Sequence, residues 1–165
     1  MLIAVALPLF AIWFGAPSAF ADEAPSYVFI GAFGVQGAIF VDSSTLQRRS
    51  QLVTAWELTV YSQAREMGGH LVSYTLFQTE FDCEQRTDRA VYMSAFGDND
   101  ELLFDASTPD AAAKPEIPES LSAVERQFVC GGSRPIPNAP VSSSRHETIK
   151  LAHDLLSELA REAAH

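Results

Sequence analysis

Between residues 27 and 107 short apolar segments alternate with short polar turns, and this pattern constrains the fold more than any other feature. The apolar segments occupy residues 27–33, 37–42, 51–61, 70–83, 89–96 and 101–107. Segments of this kind, bounded by Gly, Asp or Asn, predict strands. Parallel neighbours would need connections of about a dozen residues or more, and the connections here are shorter. The pattern therefore predicts an antiparallel β-meander of about six strands.

The segment 51–61 shows the alternation most clearly. One face carries its large apolar side chains, namely Leu52, Trp56, Leu58 and Val60. The opposite face carries the polar side chains Glu57 and Thr59. Successive strand residues point to opposite sides of a sheet, so the same rule places Cys83 with Phe81 on one face of the segment 70–83. We therefore expect Cys83 to point toward a core.

The first 21 residues are uncharged and mostly apolar, they end in Ala19-Phe20-Ala21, and polarity begins at Asp22. This ending is typical of a secretory signal peptide, so we expect cleavage between Ala21 and Asp22. A retained membrane anchor is the alternative. It would need about 20 uninterrupted apolar residues, and the run is interrupted by Pro8, Gly15 and Pro17. Because no cysteine stands at the cleavage point for lipid attachment, we expect a periplasmic or secreted protein without stable membrane insertion.

Cys83 and Cys130 are the two cysteines of the chain. In an oxidising compartment an even count of cysteines favours a disulfide, and two cysteines allow one pairing. A catalytic thiol would need a basic neighbour, whereas Cys83 lies between Asp82 and Glu84, which disfavour the thiolate. A zinc site would need more cysteines or clustered histidines. A Cys83–Cys130 disulfide is therefore favoured over a free thiol.

A short amphipathic helix is predicted over residues 119–130. Its apolar side chains recur at helical spacing on one face, namely Leu121, Val124 and Phe128. Gly131 and Gly132 end it. Cys130 falls off the apolar stripe, so we expect it in a frayed last turn that reaches toward the sheet.

The C-terminal part predicts a linker and a second helix. Ser144 followed by Glu147 is a capping-box pattern that opens a helix of about residues 145–163. The segment before it is rich in Pro and Ser, which is typical of a linker. The predicted divisions are a signal peptide at 1–21, a sheet-and-helix domain at 22–132, a linker at 133–144 and a C-terminal helix at 145–165.

The charge balance excludes several classes of partner. The chain carries a formal net charge of −10. Proteins that bind nucleic acid are basic, and anionic lipid attracts basic segments. We therefore expect no nucleic-acid partner and no docking on anionic lipid.

Few residues suggest catalysis. The chain lacks the Gly-x-Ser-x-Gly, His-Glu-x-x-His and phosphate-loop motifs, and no cofactor or metal site is predicted. Glu80 and Asp82 share one strand face at about 7 Å, a separation that would suit the acid and base of a glycosidase. An exposed, solvated face is the favoured interpretation, because nothing apolar nearby would raise either pKa.

Several segments, taken in order, resemble the surface-adhesin protein E family of Gram-negative bacteria. They are DSSTL after a hydrophobic strand, VTAWELTVY, a long strand ending in FDC, the basic pair Arg86 and Arg89, and IPESLSAVERQFVC. The resemblance covers about residues 27–132. It implies an antiparallel sheet with a helix held to its concave side by one disulfide, and adhesion to host matrix proteins. The chain differs from the founding lipoprotein in lacking a lipid-attachment cysteine and in extending beyond Gly132.

The predicted fold class is therefore α+β, with a helix tethered by a disulfide to one face of the meander and a further C-terminal helix. The predicted function is that of an exported, non-enzymatic binding protein of the bacterial envelope, adhesin-like by resemblance. Its partner would be a host or envelope protein, and a sheet edge offers a route to a homodimer. The alternatives are a small envelope hydrolase that uses Glu80 and Asp82, and a periplasmic inhibitor or chaperone-like protein.

Overall fold

The computed structural model of the protein describes residues 26–108 and 110–165. Its elements are the strands β1 (Tyr27–Ala32), β2 (Gly37–Arg49), β3 (Leu52–Met67), β4 (His70–Asp82), β5 (Thr87–Phe96), β6 (Leu102–Ser107), β7 (Lys114–Pro115) and β8 (Val141–Ser142), and the helices α1 (Leu121–Gly131) and α2 (Arg145–Ala163). The predicted signal peptide and its cleavage point at Ala21 and Asp22 lie outside the described residues.

All the strands belong to one antiparallel sheet. The spatial order is β6-β5-β4-β3-β2-β1-β8, and the short strand β7 pairs with one end of β5. The first six strands therefore form a meander in chain order, and the predicted α+β fold class is confirmed. The two-residue strands β7 and β8 were not predicted, because two residues carry no alternation.

Strand β2 continues seven residues beyond its predicted end at Asp42, past an irregularity where its register with β3 shifts between Asp42 and Gln47. Side chains supply hydrogen bonds at this point. One carboxylate oxygen of Asp42 accepts from the Ser44 hydroxyl at 2.6 Å and from the Ser26 amide at 3.0 Å. The Thr45 hydroxyl accepts from the Trp56 amide. The DSSTL segment is therefore a bulge within a strand.

The two helices cover opposite faces of the sheet. Ala152 and Leu156 of α2 pack in a buried cluster with Phe40, Leu58 and Val60. Phe128 and Val129 of α1 pack in another cluster, whose strand residues are Val28, Ile30, Val41, Val53, Ala55 and Phe81. The β3 residues of the first cluster have even numbers and those of the second have odd numbers, so their side chains point to opposite faces of the sheet. The central strands are therefore buried on both faces.

The disulfide joins Cys83, just after β4, to Cys130 in the last turn of α1, with 5.7 Å between the two Cα atoms. The expectation of a frayed last turn is wrong, since α1 remains regular through Gly131. The Arg48 guanidinium donates to the Cys130 carbonyl at 2.9 Å, and Gly132 ends the helix in the left-handed conformation with φ 73°. The helix end is thus held by a covalent bond and a charged donor.

The C-terminal segment packs directly on the sheet. Strand β8 lies within the predicted linker and pairs with Tyr27 and Val28 of β1. Ser144 caps α2 as predicted, because its hydroxyl accepts from the Glu147 amide. The Arg145 guanidinium then lies over the Phe96 ring, 5.2 Å from its centroid. Among residues 26–108 and 110–165, neither helix combines the length and apolar character that a membrane crossing requires.

Candidate functional site

A cavity of about 370 Å³ lies between α1 and the sheet over strands β3, β4 and β5. Its polar lining comes from five elements and the segment after β6, and consists mainly of Glu57, Thr79, Asp88, Arg89, Lys114 and Glu125. Ala111 and Ala112, between β6 and β7, form part of its outer wall. Three carboxyl groups and the Lys114 ammonium thus meet around one small space.

Glu57 and Glu125 are the two buried carboxyl groups of this cavity. Glu57 is on the face of β3 that points to α1, and Glu125 lies on the buried side of α1 between Leu121 and Phe128. The residues are 9% and 6% exposed respectively. In each, the Oε1 atom is buried without a hydrogen-bond partner. Buried acceptors normally have partners, so two orphans in one cavity need an explanation.

Burial raises the pKa of Glu57 to about 7, and hydrogen bonding with Thr79 and Glu125 partly offsets that rise. Burial also raises the pKa of Glu125 well above its ordinary value, and the adjacent charge of Glu57 raises it further. Loss of water and a like charge both disfavour ionisation, and here they act together. The pair therefore retains a proton near neutral pH and titrates as a unit.

Stability is expected to fall as the pH rises above the ordinary carboxyl pKa. In the unfolded chain both glutamates ionise near 4.5, whereas in the folded protein the pKa of Glu57 is about 7 and the pKa of Glu125 lies well above its ordinary value. The folded state then binds more protons over this interval, so the free energy of unfolding decreases as the pH rises. Each unit of raised pKa corresponds to about 1.4 kcal/mol. Thermal melts at about pH 5 and about pH 8 measure the decline.

The matched variants are the double substitution Glu57→Gln with Glu125→Gln, and Glu158→Gln as the control. The double variant is expected to lose most of the decline, because amides do not titrate. Glu158 is exposed on α2, so its substitution is expected to leave the decline unchanged. A double variant whose melting temperature falls with pH as steeply as that of the unmodified protein would contradict the assignment.

The remaining charged residues that line the cavity are Asp88, Arg89 and Lys114. Burial raises the pKa of Asp88, and the Lys114 ammonium opposes that rise. Arg89 donates from Nε to a carboxylate oxygen of Glu80 at 2.8 Å. Lys114 and Arg89 therefore act mainly on Asp88 and Glu80. Neither of these two cations is among the principal influences on the pKa of Glu57 or Glu125.

Glu80 and Asp82 each have structural partners. Glu80 forms an ion pair with Arg89 on the neighbouring strand. Asp82 accepts hydrogen bonds from the amides of Glu84 and Gln85 at 3.0 and 2.8 Å, which stabilises the turn after β4. Both carboxylates are thus engaged in structure, and neither lines the cavity between α1 and the sheet.

A larger and more open hollow of about 590 Å³ lies beside the disulfide. The Glu116 carboxylate sits there between the guanidinium groups of Arg86 and Arg126 and bonds to both. These hydrogen bonds lower the pKa of Glu116. Because the charges are already paired with one another, this hollow is a weaker candidate for a site than the smaller cavity with its orphaned acceptors.

Within residues 26–108 and 110–165, no three His, Cys, Asp or Glu side chains are grouped so that they would hold a metal ion. The alternation of the segment 51–61 predicts the face of Glu57 but not its burial, and Glu125 was not predicted as a site residue. The helical spacing of Glu125 could have predicted its burial. It follows Leu121 by four positions and precedes Phe128 by three, so it lies on the predicted apolar stripe.

Comparison with solved structures finds a similarity to the crystal structure of protein E from non-typeable Haemophilus influenzae. The sequence identity is 11% and the TM-score 0.43, and the match covers 87% of this chain and 94% of that chain. Comparison with curated protein sequences gives no significant match.

The family comparison concerns the sheet and α1. A model of the surface-adhesin protein E family matches residues 27–131. The match begins at the first residue of β1 and ends at the last residue of α1. It covers well over half of the 165 residues. The resemblance seen in the sequence is confirmed, and the chain belongs to the surface-adhesin protein E family.

Proposed function

We propose that the protein is an exported, non-enzymatic, adhesin-like protein of the bacterial envelope that acts by binding another protein. The observation that carries this proposal is the family match, which spans the whole six-strand meander and α1. The structural roles of Glu80 and Asp82 support the non-enzymatic part, because they occupy the carboxylates on which the hydrolase alternative depended.

The open edge of the sheet is the contact surface that we assign. Strand β6 is the last in the spatial order and pairs with β5 alone. Both faces of the central strands are covered by helices, so the sheet offers its edges and turns to a partner. An edge strand presents unpaired backbone groups that accept an added strand. Leu102, at the start of β6, is 55% exposed and adds an apolar anchor.

The charge around β6 defines the chemistry of the partner. The strand and the turn before it carry Asp98, Asp100, Glu101 and Asp105. An acidic edge favours an extended segment that carries Lys or Arg, and charge complementarity speeds association at low salt. The partner is therefore a protein with a basic strand or peptide segment, from the host surface or from the envelope.

A lysine at the start of β6 is expected to weaken this interaction strongly. Lysine on an edge blocks the addition of a further strand, and Leu102→Lys also removes the apolar anchor. Binding to immobilised extracellular-matrix and envelope proteins is expected to fall by about tenfold or more, a change of about 1.4 kcal/mol. Binding of the unmodified protein should weaken as salt rises from about 50 mM to about 300 mM.

Ile117→Lys is the matched control, because Ile117 is 69% exposed and lies before α1, away from β6. It introduces the same charge and is expected to preserve binding. Equal loss in both variants, or no loss in either, would contradict the β6 assignment. A concentration-dependent mass in light scattering that Leu102→Lys abolishes would instead assign the edge to a second copy of the chain.

Export is expected to remove residues 1–21. The proposal needs the protein outside the cytoplasm, and the Ala19-Phe20-Ala21 ending directs cleavage before Asp22. Intact-mass spectrometry of the protein recovered from periplasm or medium is expected to give the mass of residues 22–165. A recovered mass that includes residues 1–21 would favour a membrane anchor over a cleaved signal peptide.

A further inference from the structure

The orphaned Oε1 atoms of Glu57 and Glu125 are the most informative unsatisfied groups in the described chain. Both residues are more than nine-tenths buried, both line the same cavity, and both oxygens lack a hydrogen-bond donor. We propose that this cavity binds a small organic ammonium ion, a primary amine in its protonated form, between the two carboxyl groups. This inference concerns a site that is separate from the β6 edge.

An ionised carboxylate oxygen accepts hydrogen bonds, so in the ionised state of the pair the missing partner is a donor. An ammonium group supplies three donors and a positive charge on one atom, so it can satisfy two carboxylates at once. A buried carboxylate without a counter-charge is costly, and a cation offsets that cost. The absence of a third suitably placed ligand among residues 26–108 and 110–165 argues for an organic cation over a metal ion.

In the described part of the chain, no cationic side chain bonds to either Oε1 atom. Lys114 is the ammonium of the cavity wall, and its charge acts on Asp88. Arg89 donates to Glu80. Neither cation is among the principal influences on Glu57 or Glu125. The negative charge of the Glu57–Glu125 pair is therefore neutralised by a bound proton alone. The position between the two carboxyl groups is open to a cation from outside the protein.

The size and lining of the cavity fit a short alkyl chain. A volume of about 370 Å³ lies at the lower end of the range of about 300–1,000 Å³ usual for small-molecule sites. Apolar contact is available from Ile39, Phe77 and Ala90. On the outer wall, Ala112 and Lys114 are exposed, which places the entrance between β6 and β7. The ammonium end would lie at the glutamates and the alkyl part along the apolar wall.

Binding is coupled to proton release. The glutamate pair holds a proton when no cation is present, and the arriving ammonium favours the ionised form of both carboxyls. Affinity therefore rises as the pH rises toward 7, by at most about tenfold per pH unit for each proton released. Asp88 on β5 and Lys114 on β7 face the same cavity, and their opposite charges leave the direction of this dependence unchanged.

The test is an NMR titration of the amide signals of the protein with n-butylammonium chloride, with 1-butanol as the neutral probe of the same chain length. Butylammonium is expected to give saturable shifts at Glu57, Thr79 and Glu125, with tighter binding at about pH 7.5 than at about pH 5.5. Butanol is expected to give none. Glu57→Gln and Glu125→Gln are each expected to weaken binding by about tenfold or more, and Glu158→Gln to leave it unchanged.

Three results would overturn the proposal. The first is the absence of saturable shifts with butylammonium at either pH, which would leave water as the occupant. The second is an equal response to butanol, which would make the cavity a general apolar hollow. The third is unchanged binding in both glutamine variants when their amide spectra show that they are folded. Leu102→Lys is expected to retain amine binding, so this test is independent of the β6 edge.

Discussion

Replacing Cys83 with serine is expected to lower the free energy of unfolding by about 4 kcal/mol. The disulfide closes a loop with a sequence separation of 47 residues, and the loss of chain entropy in the unfolded state gives that magnitude for such a loop. A domain of this size has a net stability of about 5–15 kcal/mol, so the loss is a large part of the total. Urea unfolding of the oxidised protein and of Cys83→Ser measures the difference.

The control is the double variant with both cysteines replaced. Because Cys83 and Cys130 form one bond, the double variant is expected to be about as stable as the single variant, and a reducing agent is expected to destabilise only the unmodified protein. Alkylation of both thiols in the native exported protein, without a reducing agent, would contradict the prediction.

Replacing Leu156 with alanine is expected to cost about 2–5 kcal/mol, the usual range for a truncated core leucine. Leu156 is 2% exposed and packs against the sheet with Ala152, in the cluster that contains Phe40 and Leu58. Truncation leaves a cavity between α2 and the sheet, which the surrounding strands fill only partly. The midpoint of urea unfolding is expected to fall accordingly, with little change in the slope.

Leu159→Ala is the matched control on the same helix. Leu159 is three residues further along α2 and 36% exposed, so its truncation is expected to change stability by much less than that of Leu156. Equal effects of the two substitutions would mean that α2 does not pack on the sheet as described. The same comparison bears on the predicted division at residue 132, because a chain that ends there would expose the apolar face under α2.

The meander was predictable because alternation is a local signal. The alternation in the segment 51–61 predicts that Leu58 and Val60 lie on the opposite face of the strand from Glu57, and the structure agrees. The limits of β2 were not predictable in the same way. Beyond Asp42 the strand is held by the side chains of Ser44 and Thr45, and polar residues of this kind usually indicate a turn.

The candidate site was predictable only in part, because it depends on contacts between distant segments. Sequence periodicity assigns Glu57 to one face of β3 but does not say that α1 covers that face. The burial of Glu125 was not predicted because the residue is charged. An acidic residue next to an apolar stripe is usually assigned to the solvent-exposed edge of that stripe. Glu57 and Glu125 come together because α1 lies over this part of the sheet. The Cys83–Cys130 disulfide helps to hold α1 in that position. For Glu80 the alternation indicated the face correctly, and the partner Arg89 came from cross-strand pairing.

Burial on both faces changes what fixes the alignment of the central strands. In a sheet with one solvent-exposed face, a shift of one residue in strand register moves polar side chains into the core and apolar side chains into solvent, so it is strongly disfavoured. In β3 a slip would exchange Leu58 and Val60 for neighbours that are themselves buried, so hydrophobicity alone discriminates less between the two alignments. Glu57 restores the difference, because the slipped alignment would move its carboxyl into the mainly apolar layer beneath α2, away from Thr79 and Glu125. The acid that weakens the fold at high pH therefore also helps to select one strand register over its competitor.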